Sequence, residues 1–264
     1  MLLHTVSLGE AADGRPPVLL LHGLFGSARN WGQHQKALAA EGRQVLALDL
    51  RNHGESPHGP VPSYGALAGD VAETLAARGI HRCRLIGHSM GGKVAMALAL
   101  TAPEMVERLV IADIAPRAYA HRNDRLIAAM RALTPTPGMT RAEASAALAA
   151  DIPDAMIRSF LLLNLRLGTA QPNGWRIGLD ELAEGIGVLE GWQPIAGTYP
   201  GPALSIAGGR SHYVTEDGRA ALRALFPALR FEVLPDAGHW LHVDDPRGFL
   251  AAVSRFLETP SGAA

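Results

Sequence analysis

Cysteine is nearly missing from this chain, since Cys83 is the single cysteine among 264 residues. A lone cysteine cannot form an intramolecular disulfide, and such usage is typical of proteins in a reducing compartment. Cys83 lies in the apolar run RCRLIG. We therefore interpret it as a small buried side chain on a strand rather than as a reactive thiol.

Long hydrophobic runs are missing as well. The longest, such as VAMALAL at 94–100, fall far short of the ~20 residues that a membrane-spanning helix needs. The N-terminal stretch MLLHTVSLGE has neither the basic leader nor the apolar core of a signal peptide. We therefore expect a soluble protein with no membrane span, located in the cytoplasm.

The sequence also lacks an excess of charge of one sign. Its 24 Lys and Arg residues balance 25 Asp and Glu residues, for a formal net charge of −1. This balance argues against a nucleic acid or an anionic membrane as a partner recognised through overall charge. Apolar material is plentiful, since 48% of the residues are hydrophobic. We therefore expect a sizeable core and one domain with an insertion.

Short apolar runs alternate with helical patterns, which predicts a mostly parallel, doubly wound β-sheet of the α/β class. Several runs are continuously apolar, as in strands buried on both faces. The candidate strands are 2–8, an expected antiparallel edge strand, and 17–23, 44–50, 83–89, 108–114, 202–209 and 229–235. The candidate helices are 28–40, 64–78, 91–101 and a last helix that Asp245 caps and Pro246 begins.

Residues 116–199 have a different pattern. Their clearest segments, 122–133, 140–150 and 154–165, are helical in character, and no strand-like run interrupts them. An all-helical insertion between two strands predicts a cap over the carboxyl edge of the sheet, where ligands bind in open parallel sheets. We therefore divide the chain into a core of residues 1–115 and 200–264 and a cap of residues 116–199.

Ser89 lies in GHSMG, which fits the pattern G-x-S-x-G between an apolar strand and an Ala-rich helix. A nucleophile on such a tight turn needs small neighbours, because the backbone is strained and flanking Cβ atoms would collide. Gly87 and Gly91 meet that need. The helix that follows presents its positive end to an anionic intermediate. The alternative is a glycine-rich turn with an uninvolved serine, and we favour a nucleophile.

A serine hydroxyl needs a neighbouring base. His239, in DAGHWLH after the last strand, is the best candidate, and His242 is the rival. We expect His22 and His88 to fix loop backbone rather than to transfer protons. The pair of histidines could also suggest a metal site. Because the sequence has no cysteine cluster and no HExxH motif, we expect neither a metal ion nor a cofactor.

An oxyanion needs two backbone N–H donors, one after the nucleophile and one from the loop after an early strand. Met90 follows Ser89 and supplies the first donor. The stretch HGLFG at 22–26 follows the strand VLLL and supplies the second. Leu24 is our first choice and Phe25 the second.

Six stretches carry a family resemblance, in order and spacing: HGLFGSARNW, DLRNHGES, GHSMGG, ADIAP, GGRSHYV and DAGHW. Together they resemble the α/β-hydrolases over nearly the whole chain outside the insertion. More narrowly, the chain is similar to the small esterases of the bacterial YbfF type and the eukaryotic ABHD-eleven type. The resemblance implies an α/β-hydrolase fold with a helical cap inserted after the sixth strand, and cofactor-free serine hydrolase chemistry.

The acid of the catalytic group departs from the pattern of most family members, which place an aspartate after the penultimate strand. Here the stretch at 208–211 reads GGRS, with Ser211 where the aspartate is expected. In the narrower esterase group the acid lies one strand earlier and a serine occupies the common position. The resemblance therefore implies Asp113 as the acid, with Ser211 as an auxiliary hydrogen-bond donor. Asp217 is the alternative acid.

Other features are less specific. Asp49 and Arg51 lie in a turn common to the family, and we interpret them as structural. Aromatic residues could line an acyl pocket under the cap, although core packing is the default for each alone: Trp31, Tyr119, Trp175, Trp192, Tyr213 and Trp240. Four arginines could bind a phosphate-bearing substrate such as an acyl-CoA, although a solvated helix face is favoured: Arg117, Arg122, Arg125 and Arg131.

The sequence thus predicts a serine hydrolase that cleaves carboxylic esters, with acyl thioesters as a second class, through an acyl-enzyme on Ser89. A small-molecule ester or thioester is the expected partner. The sequence specifies neither the acyl length nor the oligomeric state. Two alternatives stay open: a hydrolase of carbon–carbon bonds in a diketone, and a non-catalytic module that binds a small molecule.

Overall fold

A seven-stranded sheet forms the centre of the molecule, in a computed structural model that describes residues 1–10, 14–120, 123–168 and 174–258. The strands are β1 Thr5–Leu8, β2 Val18–Leu21, β3 Val45–Leu48, β4 Cys83–His88, β5 Val106–Ala112, β8 Ala203–Gly208 and β9 Leu229–Leu234. Their order in the sheet is β1-β3-β2-β4-β5-β8-β9, with β1 antiparallel to β3 and every other neighbouring pair parallel. The α/β class, the mostly parallel sheet and the antiparallel edge strand are confirmed.

Helices cover both faces of this sheet, because its central strands are apolar on both sides. Val18–Leu21 and Val45–Leu48 are buried at every position, as is typical of parallel strands between two helical layers. The helices outside the insertion are α1 Gly32–Ala40, α2 Tyr64–Ala76, α3 Met90–Thr101, α8 Glu216–Leu225, α9 Leu241–Asp244 and α10 Pro246–Glu258, with a 3-10 turn at Ala28–Trp31. One apolar cluster contains α2 and α3, and a second contains α1 and α10.

The last helix begins as its sequence predicts. The Asp245 Oδ1 atom accepts a hydrogen bond from the Gly248 N–H at 2.9 Å, which satisfies an amide that the first turn leaves without an intrahelical partner. Phe249 and Val253 lie on the buried stripe, with exposed fractions of 2% and 0%. Packing of this stripe holds α10 against the sheet.

The segment between β5 and β8 is mostly helical. Its elements are α4 Asn123–Ala132, α5 Arg141–Ala147, α6 Ala155–Leu161, a 3-10 turn at Leu162–Asn164, β6 Leu165–Arg166, β7 Gly174–Trp175 and α7 Leu179–Glu190. The antiparallel pair β6–β7 is a difference from the all-helical prediction, because two-residue strands are too short to leave a pattern. The insertion follows β5, which is the fifth strand in chain order because β1 to β4 precede it. The predicted position after a sixth strand is therefore wrong.

Helix α7 was not among the predicted segments of the insertion. Two glycines, Gly185 and Gly187, interrupt its apolar pattern and lower its helix propensity. A Cβ at Gly185 would lie 2.7 Å from Cβ of Val61. The glycine therefore allows α7 to approach the core closely.

Within the described ranges, no helix is long and apolar enough to cross a membrane.

Cys83 is fully buried on β4, and burial raises the pKa of its thiol to about 12. A thiol with so high a pKa carries almost no thiolate near neutral pH, so Cys83 is a buried apolar side chain as expected.

Candidate active site

Ser89 occupies a sharp turn between β4 and α3, with a positive φ of 53°. Positive φ is uncommon for a residue with a side chain and marks local strain. A Cβ at Gly87 would lie 2.2 Å from the carbonyl oxygen of Gly91, and a Cβ at Gly91 would lie 2.4 Å from that of Leu21. Both positions therefore require glycine, and the turn projects the serine hydroxyl from the carboxyl end of β4.

The structure brings Ser89, His239 and Asp113 together in one hydrogen-bonded chain. The His239 Nε2 atom lies 3.0 Å from Oγ of Ser89, and its Nδ1 atom lies 2.8 Å from Oδ2 of Asp113. With Nδ1 protonated and donating to the carboxylate, Nε2 is free to accept the serine proton. This is the arrangement in which a histidine can act as a base towards a serine hydroxyl.

Asp113 is fully buried immediately after β5, in a backbone conformation with a positive φ of 49°. Its Oδ1 atom accepts a hydrogen bond from the Gly208 N–H at 3.0 Å. The Ser211 hydroxyl donates to Oδ2 at 2.5 Å. The carboxylate is thus held by groups from the neighbouring strand and loop. Asp217, the alternative acid, is exposed in the first turn of α8.

His242, the rival base, makes no hydrogen bond with Ser89 among the described residues, whereas His239 does. The His242 ring is buried and stacks on Trp31, with ring centroids 4.8 Å apart, and burial lowers its pKa to about 3. His88 is also buried, and its Nε2–H donates to the carbonyl oxygen of His239 at 2.8 Å. This bond holds the backbone at His239, as predicted for a loop-fixing histidine. Within the described part of the chain, no three His, Cys, Asp or Glu side chains are grouped to hold a metal ion.

The loop after β2 lies against Ser89, since a Cβ at Gly23 would be 3.3 Å from the Ser89 Cβ. The Phe25 N–H donates to Nε2 of His53 at 3.1 Å. His53 can accept this bond because its other ring nitrogen, Nδ1, donates to the carbonyl oxygen of Arg51 at 2.8 Å. Burial and the neighbouring His22 lower the pKa of His53 to about 3, so its ring is neutral. The Phe25 amide is therefore already used, whereas no described acceptor takes the N–H of Leu24 or Met90.

A cavity of about 390 Å³ opens beside Ser89 and His239. Its wall is mainly apolar and includes side chains from the insertion, among them Leu126, Ile157, Phe160 and Leu161. The predicted aromatic residues divide into two sets. Those that line the cavity are Trp31, Tyr119, Tyr213 and Trp240, whereas Trp175 and Trp192 lie elsewhere. A concave, mostly apolar pocket next to a few polar groups is typical of small-molecule sites.

Lys93, one turn after Ser89 on α3, also lines the cavity and is only 2% exposed. Its ammonium donates to the carbonyl oxygens of Glu190 at 3.2 Å and Gly191 at 2.5 Å, at the end of α7. A cation is favoured at the negative end of a helix, although burial lowers the Lys93 pKa to about 7. Lys93 joins the insertion to the core, a role that the sequence did not reveal because the accepting carbonyls are nearly 100 residues away.

The less specific sequence features are structural where the chain is described. Asp49 accepts backbone N–H groups of Ala28 and Glu55 at 2.7 and 2.9 Å. Arg51 forms a two-pronged ion pair with Asp70, with both bonds at 2.8 Å.

The three described arginines of the proposed phosphate-binding set do not line the cavity beside Ser89: Arg117, Arg125 and Arg131. Arg117 donates to Thr215 at 3.0 Å and Arg131 pairs with Asp180 at 2.9 Å, both at exposed sites. The fourth, Arg122, lies outside the described residues. The solvated-surface interpretation of these side chains therefore fits the structure better than a phosphate site in this cavity.

Comparison with known proteins identifies the family. The family model described as alpha/beta hydrolase fold matches residues 16–246 of the sequence. The chain is 40% identical over 260 residues to the sn-1-specific diacylglycerol lipase ABHD11 of Danio rerio, covering 94% of this chain and 81% of that protein. It is 38% identical over 242 residues to the esterase YbfF of Escherichia coli (strain K12), covering 91% of this chain and 92% of that protein.

A solved structure described as a marine microorganism esterase superimposes with a TM-score of 0.90 at 32% identity, covering 97% of this chain and 99% of that chain. Because the superposition covers nearly all of both chains, it includes the sheet and most of the insertion. The chain therefore belongs to the α/β-hydrolase fold family, in the esterase group that contains the YbfF-type and ABHD11-type proteins.

Proposed function

We propose that this protein is a serine hydrolase that cleaves carboxylic esters through an acyl-enzyme on Ser89. The observation that carries the proposal is the hydrogen-bonded chain from Ser89 through His239 to Asp113, with contacts of 3.0 and 2.8 Å. Relatives that are named diacylglycerol lipase and esterase support ester bonds as the substrate class.

The reaction follows from the order of these groups. His239 Nε2 takes the Ser89 proton as Oγ attacks the acyl carbon, and the carbonyl electron pair moves onto oxygen. When that pair returns, the bond to the leaving oxygen breaks and His239 gives its proton to the leaving group. In the second half of the reaction, His239 takes a proton from a water molecule as the water oxygen attacks the acyl carbon. The bond between that carbon and Oγ then breaks, and His239 returns the proton to Oγ, which releases the acid and free Ser89.

Asp113 orients the His239 ring and stabilises its cationic form. Its burial makes this interaction strong, because few water dipoles screen the carboxylate. Ser211 acts as an auxiliary donor that holds the carboxylate in place, as its contact of 2.5 Å with Oδ2 supports.

Two backbone amides stabilise the oxyanion in this proposal, those of Met90 and Leu24. Met90 begins α3, so its N–H is one of the amides without an intrahelical acceptor. Leu24 is favoured over Phe25 as the second donor, because the Phe25 N–H is engaged by His53. Preorganised donors of this kind supply much of the rate enhancement in acyl transfer.

We further propose that residues 116–199 form a cap on a core of residues 1–115 and 200–264. Insertion residues such as Leu126 and Phe160 share one cavity with Ser89, so the insertion would select the acyl group. An apolar wall suits an apolar acyl chain, whether its carbonyl belongs to an ester or to a thioester.

The experiment that tests this function uses a fluorophosphonate, which reacts with activated serines. We expect covalent labelling of the wild-type protein at Ser89, located by peptide mass spectrometry, and turnover of p-nitrophenyl acetate. Ser89→Ala should lose both, whereas Ser254→Ala, on α10, should keep both. A wild-type protein that is neither labelled nor active would contradict the proposal.

The alternatives differ in how well the geometry supports them. A non-catalytic binding module needs no serine in hydrogen-bond contact with an oriented histidine, so the intact chain of contacts weighs against it. Carbon–carbon bond hydrolysis uses the same groups and stays a hypothesis. The cytoplasmic location stays a prediction from the sequence.

A further inference from the structure

Tyr213 lies flat against the ring of His239. The two ring centroids are 3.7 Å apart and the ring planes differ by 10°. Tyr213 comes from the segment between β8 and α8, and it is half-buried at the wall of the cavity. The neighbouring ring of Tyr119 packs on Tyr213 with centroids 5.1 Å apart. One face of the His239 ring is therefore covered by Tyr213, which packs in turn against Tyr119.

Hydrogen bonds fix the backbone of Tyr213. Its N–H donates to Oγ of Ser211 at 3.3 Å, and its carbonyl oxygen accepts from the Tyr119 hydroxyl at 2.8 Å. The same hydroxyl accepts the N–H of Ala115 at 2.9 Å. Since Ser211 also contacts Asp113, the stacked ring and the carboxylate are positioned by one shared network. A shift of His239 would disturb both.

The other groups around His239 are one carboxylate, one hydroxyl and neighbouring histidine rings. Asp113 faces Nδ1 and Ser89 faces Nε2. The ring centroid of His88, on β4, lies 4.8 Å from that of His239. The ring centroid of His242, on α9, lies 4.5 Å from that of His88. Burial lowers the pKa of His242 to about 3 and that of His88 well below its usual range. Both are therefore neutral near pH 7, and they do not stabilise a positive charge on His239 as a carboxylate or an aromatic face does.

We propose that Tyr213 is a positioning residue whose ring face keeps His239 in line between Asp113 and Ser89 and stabilises the imidazolium formed during the reaction. The physical basis is the negative face of an aromatic ring, which attracts a cation more strongly than a neutral ring. The stack therefore gains strength when His239 takes the serine proton. This inference rests on the proposed function, since it assigns a step of the same reaction.

The test compares Tyr213→Phe, which keeps an aromatic face, with Tyr213→Leu, which keeps apolar cover but has no such face. Tyr213→Leu should lower kcat by roughly tenfold to thirtyfold with a much smaller change in KM. The acidic limb of its kcat/KM profile should move about half a pH unit or more toward acid, because the cationic histidine is less stable. Tyr213→Phe should retain kcat within about threefold and keep the limb in place.

A leucine variant that matches the phenylalanine variant in both kcat and pH profile would overturn the inference, as would a loss confined to KM, which would make Tyr213 a substrate contact. Thermal unfolding checks that each variant is folded, and Tyr213→Met serves as the second aliphatic replacement if Tyr213→Leu does not fold. Wild-type activity separates the two proposals. If the wild type reacts with a fluorophosphonate and cleaves esters, a negative result concerns Tyr213 alone.

Discussion

The Asp113 carboxylate lies 2.8 Å from Nδ1 of His239, although 126 positions separate the two residues in the chain. Asp113 follows β5 and His239 follows β9, and β8 lies between these strands in the sheet. The end of β8 carries Gly208, whose N–H contacts the carboxylate. Asp113 and His239 thus contact each other although their strands are separated by β8 in the sheet. Ser211 contacts Asp113 and occupies the position where most family members have their acidic residue.

Removal of one backbone donor tests the oxyanion site. The Gly26 N–H donates to the carbonyl oxygen of Gly23 at 2.9 Å, and Phe25 has a φ of 62°. These features define a type II turn with Leu24 at its second position, where proline is common. Leu24→Pro should therefore fold, and it removes the amide hydrogen and replaces the leucine side chain with the smaller proline ring. We expect kcat to fall by about 10²- to 10³-fold, as measured with p-nitrophenyl acetate.

The matched control for that variant is Leu24→Ala, which shortens the side chain but keeps the amide. It should lose far less kcat than Leu24→Pro, and both variants should unfold at similar temperatures. Equal kcat values for the two would assign the second donor to another group and would reopen the case for Phe25.

The two lysines of the chain form a natural pair for testing the link between core and insertion. Lys93 is buried against the end of α7, whereas Lys36 is exposed on α1. Lys93→Met should leave the last carbonyls of α7 without a donor, at a cost of about 1–3 kcal/mol in the free energy of unfolding.

Hydrogen exchange by mass spectrometry locates the effect. Amides in the last turn of α7 should exchange faster in Lys93→Met and at the wild-type rate in Lys36→Met. If α7 exchanges equally in all three proteins, Lys93 does not hold the insertion.

Buried neutral histidines make the protein sensitive to acid. Burial lowers the pKa of both His53 and His242 to about 3, from an ordinary value of 6.5. Below pH 6.5 the unfolded chain therefore binds protons that the folded chain does not, so the free energy of unfolding falls as pH falls toward 3. Each such histidine removes about 2 kcal/mol from the free energy of unfolding between pH 8 and pH 5.

His34 allows a test of this acid sensitivity away from the serine. Both of its ring nitrogens are buried without a hydrogen-bond partner among the described residues, and burial lowers its pKa. His34→Phe should lose less stability than the wild type between pH 8 and pH 5, as measured by urea unfolding. His81→Gln, at an exposed position, should behave as the wild type does. A wild-type pH dependence in His34→Phe would rule out its contribution.

Much of the sheet could be predicted from the sequence because its strands are short, continuous apolar runs. Val18–Leu21 is one such run, and it is buried at every position. The turn at Ser89 was recognisable for a similar reason, since Gly87 and Gly91 are required by close backbone contacts. The role of Asp113 could not be predicted from its local sequence, because it was implied by the family resemblance alone.

Features that depend on contacts between distant segments left no signal in the sequence. The bond between Phe25 and His53 joins two loops, and it alone distinguishes the two candidate oxyanion donors. The stacking of Tyr213 on His239 depends on how the segment after β8 folds back. Burial of Lys93 likewise depends on carbonyls of the insertion, which no local pattern could place beside α3.

The most direct test of the account compares kcat for Asp113→Asn and Asp217→Asn. Asparagine keeps the shape of the side chain but cannot stabilise an imidazolium or hold Nδ1 protonated in the same way. We predict that Asp113→Asn lowers kcat for p-nitrophenyl acetate by about 10⁴-fold without loss of the fold, whereas Asp217→Asn, in an exposed first turn of α8, keeps the wild-type value. Near-wild-type turnover in Asp113→Asn together with a large loss in Asp217→Asn would contradict the account.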